Sequence, residues 1–190
     1  MTVDGNQAHY LSRVMRASES DIVILCDDIT GEWAAEVMSV GKREVMLAPT
    51  RLLRPREQVP DFELCAALLK KDRFDMVLEK ATELGVRRIR PVLARRCVPD
   101  RLNPERALAI VVEAAEQCAR TALPELHEPV KLDALLRGWS TDRTLFFADE
   151  LGGEPAAEAF AASSGPASLL IGPEGGFEDA RQLLGMGGQL

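Results

Sequence analysis

From residue 61 onward the chain alternates short apolar runs with stretches of helical period, and this alternation constrains the fold more than any other feature. FELCAALL (62–69), IRPVLA (89–94), TLFFAD (144–149) and SLLIGP (168–173) have strand length and are apolar throughout. Such strands are covered on both faces, as in a parallel sheet flanked by helices. Between the first two, the pattern predicts a helix with Asp72 as N-cap and Gly85 just past its end. Phe74, Val77, Leu78, Ala81 and Leu84 would be its buried stripe. The longest helix is predicted from Asn103-Pro104 to about Arg120, burying Leu108, Val111, Val112, Ala115 and Cys118. A short alanine-rich helix falls between the last two strands, and FEDARQLL (177–184) opens another.

Residues 1–53 read differently. DIVILCD (21–27), EWAAEVMSV (32–40) and EVMLAP (44–49) are short β-type runs separated by turn signals, and one short helix is predicted over residues 8–16. Leu11, Val14 and Met15 would share a face of that helix. A small barrel fits this pattern. The proline- and charge-bearing RPREQVP (54–60) reads as a linker, so the expected domains are 1–57 and 61–190.

No apolar run reaches the ~20 residues of a membrane span, and the first residues lack the pattern of a secretory signal. A cytoplasmic protein is the default expectation. Cys26, Cys65, Cys97 and Cys118 form no CxxC pair and stand far apart, which argues against zinc and for buried free thiols. The net charge of −7 is unevenly spread. Residues 41–106 hold 16 Lys and Arg against 10 acidic residues, whereas the rest hold 7 against 20. A basic middle suits a protein that grips phosphate locally, although an ordinary solvated surface explains it equally well.

Three stretches could carry chemistry. In LLIGPEGGF (169–177) a buried strand runs straight into a glycine-rich loop and then a helix. Ligands of open α/β sheets bind beyond the carboxyl ends of strands, and Gly175 and Gly176 would allow close backbone approach. The spacing matches neither GxGxxG nor GxxxxGK[ST], and taken alone the loop reads more readily as a tight structural turn. In KKDRFDMVLEKATELG (70–85), Lys70, Arg73 and Lys80 could meet phosphates, or simply face solvent, with Glu83 pairing Lys80. In EAAEQCAR (113–120), the i, i+3, i+4, i+7 spacing of Glu113, Glu116, Gln117 and Arg120 predicts one helix face able to read a base edge and a phosphate. An exposed face laced with ion pairs is equally natural.

Taken together with HYLSRVMR (9–16) and VRRIRPVLARR (86–96), these segments resemble, in order and spacing, the RsmE family of bacterial 16S rRNA uridine-N3 methyltransferases, of the knotted SPOUT class. The resemblance covers nearly the whole chain. It implies an N-terminal PUA-like β-barrel for RNA binding and a C-terminal knotted α/β domain with a mostly parallel sheet. It also implies S-adenosylmethionine as cofactor, 16S rRNA of the small ribosomal subunit as partner, a homodimer, and no metal. Ile171, Gly172, Pro173, Glu174, Gly175 and Gly176 then look like the cofactor loop, with Phe147, Ala148, Asp149 and Glu150 as a second wall. His9, Arg13, Arg16, Lys70, Arg73 and Gln117 match positions on the RNA side, and Glu116 and Arg120 are the candidate base and charge stabiliser.

Family members begin with a β-strand ahead of this chain's first residue. They also continue past its last residue, through a segment of the type LGPRILRxETA into a final helix that completes the knot. By the resemblance this chain is truncated at both ends. Two other classes compete: a pure RNA-binding protein on the same scaffold, and a nucleotide-dependent oxidoreductase or phosphate-binding enzyme. The last predicts a phosphate fingerprint after the first strand of the sheet, where this chain has LLKKDRFD.

Overall fold

A computed structural model of the protein describes residues 1–95, 97, 101–149 and 152–172. The chain divides into two units, Met1–Gln58 and Val59–Leu190.

The first unit is an antiparallel sheet with a helical excursion. β1 (Thr2–Asp4) leads into α1 (Gly5–His9), which loosens into a π-helical turn over Tyr10–Val14. β2 (Ile22–Asp27), β3 (Gly31–Val40) and β4 (Glu44–Pro55) follow, in the order β1-β4-β3-β2. Alternation puts Val23, Ala35, Val37, Val45 and Leu47 on one face, where Ala8 and Leu11 cover them. The helix therefore starts earlier than the periodicity predicts. Only Leu11 of the predicted stripe packs on the core; Val14 and Met15 are exposed, because the π turn rotates them off it. The β2–β3 turn needs its glycine: Gly31 has φ +119°, and a Cβ there would stand 2.2 Å from the Arg54 carbonyl oxygen.

The second unit is a parallel sheet. Its elements are β5 (Phe62–Ala67), α2 (Lys71–Glu83), β6 (Arg88–Leu93), α3 (Pro104–Gln117), β7 (Glu125–Leu126), β8 (Val130–Lys131), α4 (Leu132–Arg137), β9 (Thr144–Ala148), α5 (Ala156–Ala162) and β10 (Ala167–Ile171). The order is β7-β6-β5-β10-β9, with β8 also paired to β6. The chain steps from β5 through β6 to β7 with α2 and α3 on one face. It then crosses the other face by way of α4, reaches the far edge at β9, and returns to insert β10 beside β5. Phe160 of α5 meets Phe62 and Phe146 edge-to-face, at 6.1 and 4.6 Å between ring centroids.

Several local expectations shift. Lys70, not Asp72, is the N-cap of α2, and Asp72 lies in the first turn, where a carboxylate suits the helix dipole. Gly85 does sit just past the helix, with φ +76°. Its N–H donates to the Thr82 carbonyl at 3.0 Å and that of Val86 to Ala81 at 3.2 Å, a Schellman ending. Phe74, Leu78 and Ala81 are buried as predicted, whereas Leu84 is exposed because the helix ends there. α3 is capped by the Asn103 side chain, which accepts the Arg106 N–H at 3.0 Å. It buries Ala107, Val111, Ala114 and Ala115, while Leu108 and Cys118 are exposed. Two adjacent stripes of α3 are apolar, and the one rich in alanine faces inward. Of the four thiols only Cys65 is fully buried, and Cys26 and Cys118 are exposed, contrary to expectation. Both exposed thiols lie at the end of an element. No described helix is long and apolar enough to cross a membrane.

Candidate active site and RNA-facing surfaces

Parallel pairing brings the carboxyl ends of β9 and β10 side by side, with Leu170 opposite Phe147 and Ile171 opposite Ala148. The described parts of the two predicted cofactor walls, Phe147, Ala148 and Asp149 on one strand end and Ile171 and Gly172 on the other, are thus neighbours. Phe147 packs partly into the core below them, while Ile171 leaves apolar surface exposed above. Pro173, Glu174, Gly175, Gly176 and Glu150 lie outside the described residues, as does the helix predicted from Phe177.

The same carboxyl edge receives the start of α2. Lys70 and Arg73 are exposed there, on the edge that carries the predicted cofactor walls. Lys80, by contrast, is held by Glu83 at 2.9 Å, as expected, and also by Glu79 at 2.8 Å, and their carboxylates raise its pKa. A cleft of about 700 Å³ opens between the first turns of α2 and α3, lined among others by Leu69, Lys71, Phe74, Arg101 and Asn103.

Glu116, Gln117 and Arg120 are elsewhere. α3 leaves the carboxyl end of β6 and runs back to the amino end of β7, so its last turn is at the opposite edge of the sheet. Fourteen residues of helix make that separation roughly 20 Å. Arg120 also leaves the predicted face. Ala119 takes φ +55° and ends the helix, with the Arg120 N–H donating to the Ala115 carbonyl at 2.9 Å. The guanidinium then lies over Gly85 and donates to the Glu83 carbonyl at 3.2 Å. Glu116 and Gln117 stay on the helix, exposed. The predicted four-residue face is therefore broken at Arg120, and within one chain neither Glu116 nor Arg120 reaches the strand ends predicted as cofactor walls.

Ion pairs crowd this amino edge. Asp61 accepts from Arg143 at 2.6 Å and from Arg88. The Arg143 guanidinium is the main reason its carboxyl sits below the usual range. One strand position further in, Glu63 is buried, accepting from Arg90 Nε at 2.7 Å and from the Ser168 hydroxyl at 2.9 Å. Next to it, burial pushes the Cys65 thiol up to about 12.

In the first unit, His9, Ser12 and Arg13 line a second cleft, of about 560 Å³, together with Lys42 and Arg43 of the β3–β4 turn. Arg16 is not among its lining residues; it lies past the π turn with φ +55°. Lys42 and Arg43 were not singled out from the sequence, although the basic excess over residues 41–106 begins with them. Among the described residues no cluster of three or more His, Cys, Asp or Glu is placed to hold a metal ion.

Comparison with known proteins adds to this geometry. A model of the RNA methyltransferase domain matches residues 56–183, and one of the RNA methyltransferase PUA domain matches residues 3–47. The ribosomal RNA small subunit methyltransferase E of Bacillus subtilis is 31% identical over 193 residues, covering 94% of this chain and 75% of its own. That of Rickettsia conorii is 27% identical over 183 residues, covering 94% and 74%. A methyltransferase structure from Legionella pneumophila, in complex with the bound cofactor SAM, superposes with a TM-score of 0.83 at 27% identity, covering 98% of this chain and 80% of that one.

Proposed function

The chain, matched over residues 56–183, belongs to the RNA methyltransferase domain family, and we propose that it transfers the methyl group of S-adenosylmethionine to N3 of a uridine in 16S ribosomal RNA. The observation that carries this reading is the pairing of β9 with β10, which sets Phe147, Ala148 and Asp149 against Ile171 and Gly172 at the carboxyl edge. These residues fit a nucleoside cofactor: Ile171 offers apolar surface, Asp149 a carboxylate for hydroxyl groups, and Gly172 a backbone without a side chain in the way. Pro173, Glu174, Gly175 and Gly176 continue the loop in this reading. The bound cofactor supplies a methyl carbon on a sulfonium sulfur, open to in-line attack.

The protein's task is to hold the uridine and remove its N3 proton. The base must be unpaired or turned out of its stack to reach the edge of the sheet. Lys70 and Arg73 would hold the flanking phosphates, and a cation there stabilises charge that develops on the pyrimidine. A positioned base contributes roughly 10²–10⁴ in rate. Glu116 can be that base, and Arg120 and Gln117 its helpers, only if a second copy of the chain presents them to this edge. The homodimer that the RsmE resemblance implies would do so, and the knotted closure of the sheet belongs to the same reading. His9, Arg13 and Arg16 would hold RNA in the first unit, residues 1–57, while residues 61–190 carry the chemistry.

The test is methyl transfer from labelled S-adenosylmethionine to small ribosomal subunits that lack the modification, followed by nucleoside analysis. N3-methyluridine is the expected product. No transfer by this chain, and none by the same chain continued through the C-terminal segment of its relatives, overturns the reading. A Glu116→Gln variant with an unchanged rate removes Glu116 as the base.

A further inference from the structure

β10 is the strand whose carboxyl end leads into Ile171 and Gly172, and it lies between two other apolar strands, β5 and β9. Its sequence, ASLLI, gives it little to tell one alignment from another. A slip of one residue would turn every side chain to the opposite face, but a slip of two would preserve both faces. Such a slip would carry Gly172 about 7 Å along the strand, away from its neighbours on β9. Apolar contacts alone therefore fix poorly the height of one predicted wall against the other.

Ser168 is the one polar side chain of the strand, and it is fully buried. Its hydroxyl donates to Glu63 Oε2 at 2.9 Å, and Glu63 Oε1 accepts from Arg90 Nε at 2.7 Å. β6, β5 and β10 are thus tied across by a buried carboxylate with both oxygens engaged. Slipped by two, β10 would set Leu170 or Pro166 opposite Glu63 in place of Ser168. One oxygen of a buried carboxylate would then face an apolar side chain, and that penalty falls on the slipped alignments alone. Arg143, just ahead of β9, adds a second tie at the same level. Its guanidinium donates to the Ala167 carbonyl at 2.9 Å and to the Asp61 carboxylate at 2.6 Å. That single side chain holds the amino ends of β5, β9 and β10 to one another.

Resting on the methyltransferase reading, we infer that Ser168 is a positioning residue: pinned to Glu63, it sets the height of Ile171 and Gly172 beside Ala148 and Asp149, and so shapes the cofactor site without touching it. Four residues separate Ser168 from Gly172, roughly 13 Å of strand, so the hydroxyl acts through the strand and not on the cofactor. Fixing register is the best-attested use of a buried polar group.

The experiment compares Ser168→Val with Ser168→Thr in the full chain. The two new side chains have the same shape and only one keeps a hydroxyl, so any overcrowding is common to both. Binding is measured to S-adenosylmethionine and, separately, to a small-subunit rRNA fragment, with amide hydrogen exchange followed along β10. With the aligned state reduced to about a tenth of the population, Ser168→Val should bind S-adenosylmethionine about tenfold more weakly than Ser168→Thr. RNA affinity should be the same in both, and the β10 amides should exchange faster in Ser168→Val alone. Where neither variant folds, Ser168→Ala against the parent carries the same comparison. Thr82→Val, which removes a buried hydroxyl from α2, should leave cofactor affinity unchanged. Equal cofactor affinity in the two Ser168 variants overturns the inference and leaves the enzyme reading standing. So does a loss shared equally by cofactor and RNA, which marks general destabilisation. A parent chain that binds no S-adenosylmethionine, even when continued through the C-terminal segment of its relatives, overturns the cofactor reading and the positioning role with it. Exchange that still separates the two variants would then mark a register pin with no cofactor to position.

Discussion

The two edges of the parallel sheet are built from similar residues and put to opposite uses. At the amino edge the described charges of the strands and their flanks are matched: Asp61 with Arg88 and Arg143, Glu63 with Arg90, Glu125 with Arg88. At the carboxyl edge Lys70 and Lys71 are exposed, and among the described residues neither makes an ion pair. Both edges therefore carry cations; at the carboxyl edge Arg106 is paired with Asp75, but Lys70 and Lys71 have no carboxylate in place. A charge whose partner is folded in beside it serves stability. One left waiting at the ends of the strands, beside Ile171 and Asp149, is available to a ligand.

This contrast can be broken most forcefully at Glu63. Glu63→Ala leaves Arg90 facing a buried site without its carboxylate, and denaturant unfolding should show a loss of about 3–5 kcal/mol. A loss under 1 kcal/mol would mean that water replaces the carboxylate and that the amino edge is not a stabilising lock. Gly85→Ala is expected to cost about 1–2 kcal/mol, since φ there is +76° and the new Cβ would meet the Arg120 guanidinium at 2.1 Å. Combining it with Arg120→Ala removes the clash but not the backbone strain, so only part of the loss should return.

Acid sharpens the comparison further. The folded-state pKa of Asp61 is depressed, so its contribution is present above the ordinary carboxylate range and is lost as pH falls through it. Asp61→Asn should flatten the fall in melting temperature between about pH 5 and pH 3 and leave the neutral region less stable. An unchanged acid limb would show that Arg88 and Arg143, around Asp61, contribute nothing net. At the carboxyl edge the expected change in stability is smallest. Lys70→Ala should stay within about 0.5 kcal/mol of the parent in a melt, while raising KM for ribosomal RNA. A destabilised Lys70→Ala with normal KM would reverse the roles assigned to the two edges.

How much of this was legible in advance varies element by element. The buried strands announce themselves because a strand covered on both faces has no polar position to hide in. The glycine-rich loop at residues 172–176 was placed at a strand end by the same reasoning, and Gly172 stands there. Of the predicted stripe of α3, Val111 and Ala115 are buried but Leu108 and Cys118 are not, because the neighbouring stripes are both apolar and only the packing partner decides between Ala107 and Leu108. Arg120 was misread because nothing in EQCAR announces that an alanine will take φ +55°, a conformation usually left to glycine or asparagine. The strands β7 and β8 are two residues each, too short for any periodicity to register. The opposition of the two edges follows from strand order, which no local pattern encodes.

The place of β10 between β5 and β9 also sets a schedule. The hydrogen bond from Ser168 to Glu63 joins residues 105 positions apart. At roughly 5–20 residues per second, a ribosome needs on the order of 5–20 s to produce the second after the first. Throughout that interval the apolar edge of β5 has no neighbour on one side, while β1 to β4 have all been synthesised and can pair with one another. The nascent protein thus passes through a stage in which β1 to β4 are paired and β5 offers one sticky edge, open to mispairing. Slower growth at low temperature and chaperone supply should decide its yield more than the stability of the finished sheet.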